Sequence, residues 1–403
     1  MTRSFPWLAL VLLGAVLGLV FAGVSTYDFV QHLDRQVHSL HCSFIPGMSH
    51  GAGESGCQVA MMSPYSSVFR QHIWGGIPIA LPAMSVFAFL ACFTVDLLLT
   101  QRKHDRRATG FLLLAACLPL VMSLLMLTIS LAKLGTTCKL CVVIYVSSAL
   151  VFAGALLQFL RARRLGEAPV TSTGFLGAAF GLGVVFVVLP VLLYFALAPD
   201  HKRFIGTCDV LPHPDDPYKV MLDLDGRDRG VFAIEVLDPL CPACRAFEQR
   251  LQQSGLDEEL HRHAILFPLD STCNWMVTET THPGACTISE AVLCAGPKAH
   301  DVIEWAFAEQ EKITAAAKAD PQAAARLVKE RFPELAQCVG SADAKSKLNK
   351  SLRWSVANGI HVLTPQLFIK DVKLCDEDVD LGLDYTLSEM IERERDGTLK
   401  GAK

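Results

Sequence analysis

The sequence predicts a membrane-embedded, all-α four-helix bundle with a fifth transmembrane helix, followed by an α/β domain that carries a helical insertion. Three observations predict it. The 403 residues are 51% hydrophobic and only 19% charged, with a mean hydropathy of +0.36. The apolar residues crowd into the first half of the chain. From about Asp200 onward the chain is charged and mixed, and is long enough for one globular domain.

Five runs are long enough to cross a hydrocarbon core, which takes about 20 helical residues. They lie near residues 5–25, 77–100, 109–131, 140–160 and 173–197. The first four make a bundle over residues 1–165, and the fifth belongs with a linker over 166–217. The α/β domain takes 218–403. Within it, residues 289–358 are rich in Ala, Glu, Lys and Leu and read as an inserted helical subdomain. A net charge of −4 without a basic stripe excludes nucleic acid as a partner; the partner of the first half is the lipid bilayer.

Orientation follows from the loop charges. Basic residues cluster at Arg3, at Gln101–Arg107 (QRKHDRR) and at Arg161–Arg164 (RARR), whereas the alternate loops hold only Arg35, Arg70, Lys133 and Lys139. The N-terminus is therefore expected in the cytoplasm and, after five spans, the C-terminal domain outside. Ala22-Gly23-Val24-Ser25 is rich in small residues, so the first run could instead be a cleaved signal peptide; the remaining loops would keep their sides. This topology puts twelve of the 14 cysteines on the oxidising outer side. Only Cys92 and Cys117 fall within spans, where each reads as a small buried hydrophobe.

Two CxxC pairs stand out. Cys138-Lys139-Leu140-Cys141 opens the fourth apolar run, with Tyr145 one helical turn further on. The first sulfur of a CxxC usually starts a helix, where the positive end of the dipole favours the thiolate. Here the helix continues into lipid, so a partner of Cys141 and Tyr145 is expected to be apolar. The preceding loop, from Tyr27 to Gly76, holds Cys42 and Cys57 on either side of a Gly/Ser-rich stretch. That pair reads either as a plain disulfide staple or as a mobile pair that exchanges with the membrane CxxC. His38, His41 and His50 of this loop read as solvated residues, one of which could tune Cys42. The run from Ser63 to Phe69 predicts a short amphipathic helix with a Ser cap and a first-turn proline, roofing the bundle. Gly75-Gly76-Ile77-Pro78 then breaks the chain and starts the second span.

These features together resemble the vitamin K epoxide reductase family over the first 160 residues. The matching features are Cys42 with Cys57, Ser63-Pro64-Tyr65-Ser66, Gly76-Ile77-Pro78, and Cys138-x-x-Cys141 with Tyr145. The resemblance implies that Cys141 faces a quinone and that Tyr145 donates a hydrogen bond to it. It implies that Cys138 exchanges with Cys57 and that Cys42 receives electrons from outside. Ser63 and Tyr65, on the roof, join Cys141 and Tyr145 as expected cofactor contacts, the cofactor being ubiquinone or menaquinone. Animal members carry an asparagine on the second span where this sequence has Ile79-Ala80-Leu81-Pro82, so the resemblance implies quinone reduction and leaves epoxide reduction open.

In the second half, residues 231–236 (VFAIEV) read as a buried strand running into Cys241-Pro242-Ala243-Cys244 at the start of an amphipathic helix. Strand, CxxC and helix in this order resemble a thioredoxin-like domain, with Cys241 at the helix start and Cys244 buried. Thr364-Pro365, entering a later strand, matches the position of the cis proline that faces the cysteines in such folds, so both residues are expected at the substrate. Six further cysteines, Cys208, Cys273, Cys286, Cys294, Cys338 and Cys375, allow up to three structural disulfides in 15 connectivities. A zinc site from Cys273, His282, Cys286 and Cys294 is the alternative weighed and set aside, because the spacing is loose; no metal is expected.

The function that follows is a membrane thiol–disulfide oxidoreductase of the bacterial inner membrane. Electrons from secreted or periplasmic cysteine-containing proteins would pass through Cys241/Cys244, then Cys42/Cys57, then Cys138/Cys141, and on to a quinone. Two alternatives stand beside it. In one, electrons flow outward to keep the thioredoxin-like domain reduced for isomerisation; in the other, the chain is a non-enzymatic, membrane-anchored chaperone.

Overall fold

The computed structural model describes residues 5–36, 38, 40–41, 56–166, 170–224, 226 and 229–401. The chain divides into two compact units, 1–199 and 200–403. The first contains α1 (Phe5–Gln31), α2 (Gly56–Met62), β1 (Ser67–Val68), β2 (Ile77–Pro78), α3 (Ala80–Leu99), α4 (Arg106–Ile129), α5 (Lys139–Leu165) and α6 (Thr173–Leu197). Five of these helices are long and apolar enough to cross a membrane, so the chain is a multi-pass membrane protein. α1 packs on α3 and α5, α4 closes the bundle against α5, and α6 lies on α3.

Helix ends follow local chemistry. Asp105 caps α4 by accepting from the Arg107 N–H at 2.8 Å, and Ser172 caps α6 through the Phe175 N–H. α1 runs six residues past its expected end because the polar groups there find partners. Thr26 Oγ1 donates to the Ala22 carbonyl at 2.8 Å, and the buried Asp28 carboxylate is held by His41. On α3, α4 and α6, Phe89, Phe93, Phe111 and Phe186 interlock at ring-centroid distances of 5.1–6.3 Å.

Close helix approach depends on glycine at Gly154 of α5. A Cβ there would lie 2.7 Å from Val11 Cγ2 and 2.8 Å from the Trp7 carbonyl oxygen, both on α1. Gly154→Ala is therefore expected to destabilise the bundle by about 1–3 kcal/mol through overpacking. A thermal midpoint in detergent equal to wild type would contradict this.

The roof differs from the sequence expectation. Ser63–Phe69 is not an amphipathic helix; it is a short 3₁₀ turn, Pro64–Ser66, leading into β1. Ser63 does not cap a helix, since its Oγ donates to the Ala60 carbonyl at 2.8 Å. β1 pairs antiparallel with β2, because Gly75 and Gly76, both at positive φ, turn the chain back. Gly75–Pro78 thus forms a hairpin arm before α3 begins. The buried Arg70 ties the roof together by donating to the Ser63 carbonyl at 2.7 Å. From α6, the Tyr194 hydroxyl donates to the Gly76 carbonyl at 2.7 Å. Cys92, expected to be buried, is exposed on α3, and Cys117 is only partly covered; an apolar surround accepts a thiol as it does a methyl group.

The second unit is built on a five-stranded mixed sheet. Its strands are β3 (Leu222–Asp223), β4 (Val231–Leu237), β5 (Leu260–Leu266), β6 (Gln366–Ile369) and β7 (Val372–Lys373), in the order β3-β5-β4-β6-β7. β4 and β5 run parallel and are connected through α7 (Pro242–Ser254); the other neighbours are antiparallel. Between β5 and β6 lie α8 (Ala285–Ala295), α9 (Ala299–Ala308), α10 (Gln310–Ala319), α11 (Ala323–Arg331) and α12 (Ala342–Ala357). α13 (Leu383–Arg395) ends the unit. β4 is buried at every position but Phe232, which fits a central strand covered on both faces.

Three disulfides resolve the six remaining cysteines: Cys208–Cys375, Cys273–Cys286 and Cys294–Cys338. All three sulfurs of the conceivable zinc set, on Cys273, Cys286 and Cys294, are consumed by two of these bonds.

Candidate functional site

Two sulfur centres emerge, one in each unit. In the first, Cys138 is the N-cap of α5, and its sulfur accepts from the Cys141 N–H at 3.4 Å. A sulfur at that position takes up a backbone donor that would otherwise lack an intrahelical partner. Cys57, on α2, brings its sulfur to 3.2 Å from that of Cys138, and both residues are buried. Cys57 is disulfide-bonded, whereas Cys138 and Cys141 are free thiols. Cys42 lies outside the described residues, as does His50.

Beneath this contact a cavity of about 460 Å³ opens between α1, α3, α4 and α5. Cys57, Ser63, Tyr65, Cys138, Cys141 and Tyr145 all line it, so six of the residues singled out in the sequence share one wall system. Cys141 and Tyr145 stand one turn apart on α5 and face the same space. The Ser63 hydroxyl proton is committed to Ala60, which leaves that group an acceptor only. The remaining lining is mostly aliphatic and methionine side chains, drawn from α3, α4, α5 and the roof. An apolar cavity with a thiol and a phenol on one side suits a flat, apolar molecule with an oxygen acceptor at its edge.

The sequence reading missed Asp28, which pairs with His41, a loop residue that is exposed as expected. Asp28 lines the cavity at 3% exposure; its Oδ2 accepts from the His41 N–H at 3.1 Å, and its Oδ1 pairs with His41 Nδ1. The available signal was an acidic residue at the end of an otherwise apolar run, which is costly in lipid and rarely idle. Ser123 of α4 and Ser148 of α5 were also missed; they bond across the helices at 2.8 Å and both line the cavity.

In the second unit, Cys241 is the N-cap of α7 and Cys244 lies fully buried one turn in. Hydrogen bonding from the Cys244 thiol is the largest influence on the Cys241 thiol and, against burial, lowers its pKa to about 6. Burial in turn raises the Cys244 thiol well above its ordinary value. The two sulfurs are thus split into an acidic, attackable one and a protonated reserve. The Thr364–Pro365 peptide is cis, and the Thr364 carbonyl lies 3.5 Å from Cys241 Sγ. Thr364 and Pro365 are both buried, while the preceding Val362 and Leu363 are 52% and 45% exposed and form the apolar surface ahead of them in the chain.

Residues 9–156 match the Vitamin K epoxide reductase family. The matched stretch carries most of α1, the roof, all of the cavity lining but Val187, and the Cys138–Cys141 pair, and ties this part of the chain to a family of membrane oxidoreductases that use quinones. Residues 157–403 lie outside the match. No curated protein and no solved structure matches the chain.

Proposed function

We propose that the protein is a quinone-dependent protein-disulfide oxidoreductase whose second unit is a thioredoxin-like domain. The observation that carries this reading is the 3.2 Å approach of Cys57 and Cys138 on the wall of an apolar cavity that also holds Cys141 and Tyr145. That separation is a near-attack distance for thiol–disulfide exchange.

The electron balance is simple. A dithiol of a secreted or periplasmic protein attacks Cys241 of the Cys241–Cys244 disulfide; the substrate leaves with a new disulfide and the pair keeps two electrons and two protons. Cys241 and Cys244 return to a disulfide by reducing Cys42–Cys57, the pairing assigned to the loop. Cys57 then attacks Cys138 of a Cys138–Cys141 disulfide and frees the Cys141 thiolate toward the cavity, and Cys42 resolves the mixed bond. Ubiquinone or menaquinone, bound in the cavity, supplies a two-electron, two-proton acceptor. Tyr145 is assigned to orient it through its hydroxyl, with Ser63 and Tyr65 shaping the roof. A bonded Cys57 beside free Cys138 and Cys141 matches the state after the loop has passed its electrons on.

The thioredoxin-like reading is supported by strand, CxxC and helix in succession, by the parallel return strand β5, and by cis Pro365 beside Cys241. The basic clusters at 101–107 and 161–164 support a bacterial inner-membrane topology with the N-terminus cytoplasmic and the second unit periplasmic. Covalent linkage then holds the second unit at about millimolar effective concentration relative to the loop.

The reading is tested by adding quinone anaerobically to the pre-reduced full chain in detergent and mapping thiols by alkylation. Cys138 and Cys141 are expected to become protected in step with quinol formation. Quinone left unchanged with both thiols still alkylatable would sink the proposal.

A further inference from the structure

The segment between β5 and α8, residues 267–284, carries a histidine to the end of β4. Asp238, fully buried, stands three residues ahead of Cys241. Its Oδ1 accepts from the Leu240 N–H at 2.8 Å, and its Oδ2 accepts from the Leu269 N–H at 2.8 Å. His282 Nδ1 lies 2.7 Å from the same Oδ2, and the Asp238 carbonyl accepts from the Cys241 N–H at 3.0 Å. One carboxylate therefore joins His282 to the backbone turn that sets Cys241 at the helix start.

The loop is built to hold this position. Asp270, nearly buried, accepts from the Thr272 N–H at 3.0 Å and from the Gly284 N–H at 3.1 Å. Asn274 Nδ2 donates to the Pro268 carbonyl at 2.8 Å. The Cys273–Cys286 disulfide closes the segment around His282. Such fixation orders the imidazole before any substrate arrives.

A buried anion beside Cys241 works against a thiolate there. Asp238 does raise the energy of the Cys241 thiolate, and Ala243 between the two cysteines offers no compensating cation. We propose that His282 is a positioning residue for the disulfide exchange, its ring held on Asp238 so that its charge offsets that carboxylate at the turn that presents the Cys241 sulfur. The groups facing it are Asp238 from the end of β4, Cys241 from the start of α7, and Asp270 from its own loop. Burial opposes the charged imidazole. The hydrogen bond and charge of Asp238, then the charges of Cys241 and Asp270, outweigh burial and raise its pKa above the ordinary value. An acidic Cys241 is also the better leaving thiolate, which favours the pair as an oxidant. The inference rests on reading Cys241 as the exchanging sulfur.

The experiment is peptide-resolved iodoacetamide alkylation of Cys241 in the reduced full chain as a function of pH. Wild type is expected to show half-maximal reactivity near pH 6, the value to which its pKa is lowered. His282→Asn keeps a donor at the Nδ1 position but no charge. It should slow alkylation at pH 6 by about fivefold, as for a midpoint one pH unit higher. Adding Asp238→Asn removes the uncompensated anion and should restore the wild-type rate, a rescue that simple misfolding would not give. A His282→Asn profile that overlays wild type, or a double variant that stays slow, overturns the proposal. A wild-type midpoint at the ordinary thiol value would instead overturn the underlying reading of Cys241.

Discussion

With Cys57→Ala, quinone reduction driven by protein dithiols is expected to fall by roughly three orders of magnitude or more, the scale for removing an obligatory nucleophile. The expectation comes from placement. Cys57 on α2 is the described loop sulfur that reaches Cys138, at 3.2 Å, and both are buried away from any large partner. A protein dithiol cannot enter that space, so without Cys57 it has no route to the pair at the start of α5. A small dithiol that fits beneath the roof should still reduce Cys138–Cys141 and retain a large part of its rate. Equal loss with both donors would show that the variant had damaged the bundle instead of the relay. An unchanged rate with protein dithiols would remove Cys57 from the pathway.

Arg262→Met is expected to cost the second unit about 3–5 kcal/mol, the range for stripping the counter-charge from a buried ion pair. Arg262, on β5 at 2% exposure, donates to Glu248 of α7 through two nitrogens, at 2.6 and 3.1 Å, and lies 3.5 Å from Glu235 of β4. Methionine fills the volume but removes the guanidinium from beside two buried carboxylates. Because α7 begins at Cys241, loosening of its Glu248 anchor reaches the redox pair as well. Hydrogen exchange of β4 and β5 peptides in the full chain should accelerate accordingly. Replacing Glu235 and Glu248 by Leu and Met in the same variant should recover most of the loss, since an apolar cluster of similar volume can stand in for a buried ion network. Protection equal to wild type in the single variant would contradict the account.

Much of this protein was legible in its sequence, for identifiable reasons. The five long apolar helices follow from run length alone, because lipid demands about 20 apolar residues wherever a helix crosses. Cys138, Cys141, Tyr145, Cys57, Ser63 and Tyr65 were singled out by spacing and by resemblance, and all line one cavity. Cys241 at the start of α7 follows from a strand running into CxxC.

What the sequence concealed is pairing between distant residues. Nothing local joins Asp28 to His41, Asp238 to His282 or Arg262 to Glu248, and each depends on which elements become neighbours. The disulfides were illegible for the same reason, since six cysteines can pair in many ways. Ser63–Phe69 failed differently. A Ser-Pro start opens a 3₁₀ turn as readily as a helix, and the choice was made by the hairpin that Gly75 and Gly76 fold back onto β1. His41 is exposed as its loop position suggests, but its partner Asp28, on the last turns of α1, could not be read from the sequence.

The central claim is that one chain conducts electrons from protein dithiols to quinone through its cysteine pairs. Its most direct test is anaerobic quinone reduction by the purified full chain in detergent, with a reduced, unfolded dithiol protein as the only electron source. Wild type is predicted to form one substrate disulfide for each quinol, and Cys141→Ala and Cys244→Ala are each predicted to stop both products. Quinol formation by Cys244→Ala at the wild-type rate, or substrate oxidation by Cys141→Ala without loss, would contradict it.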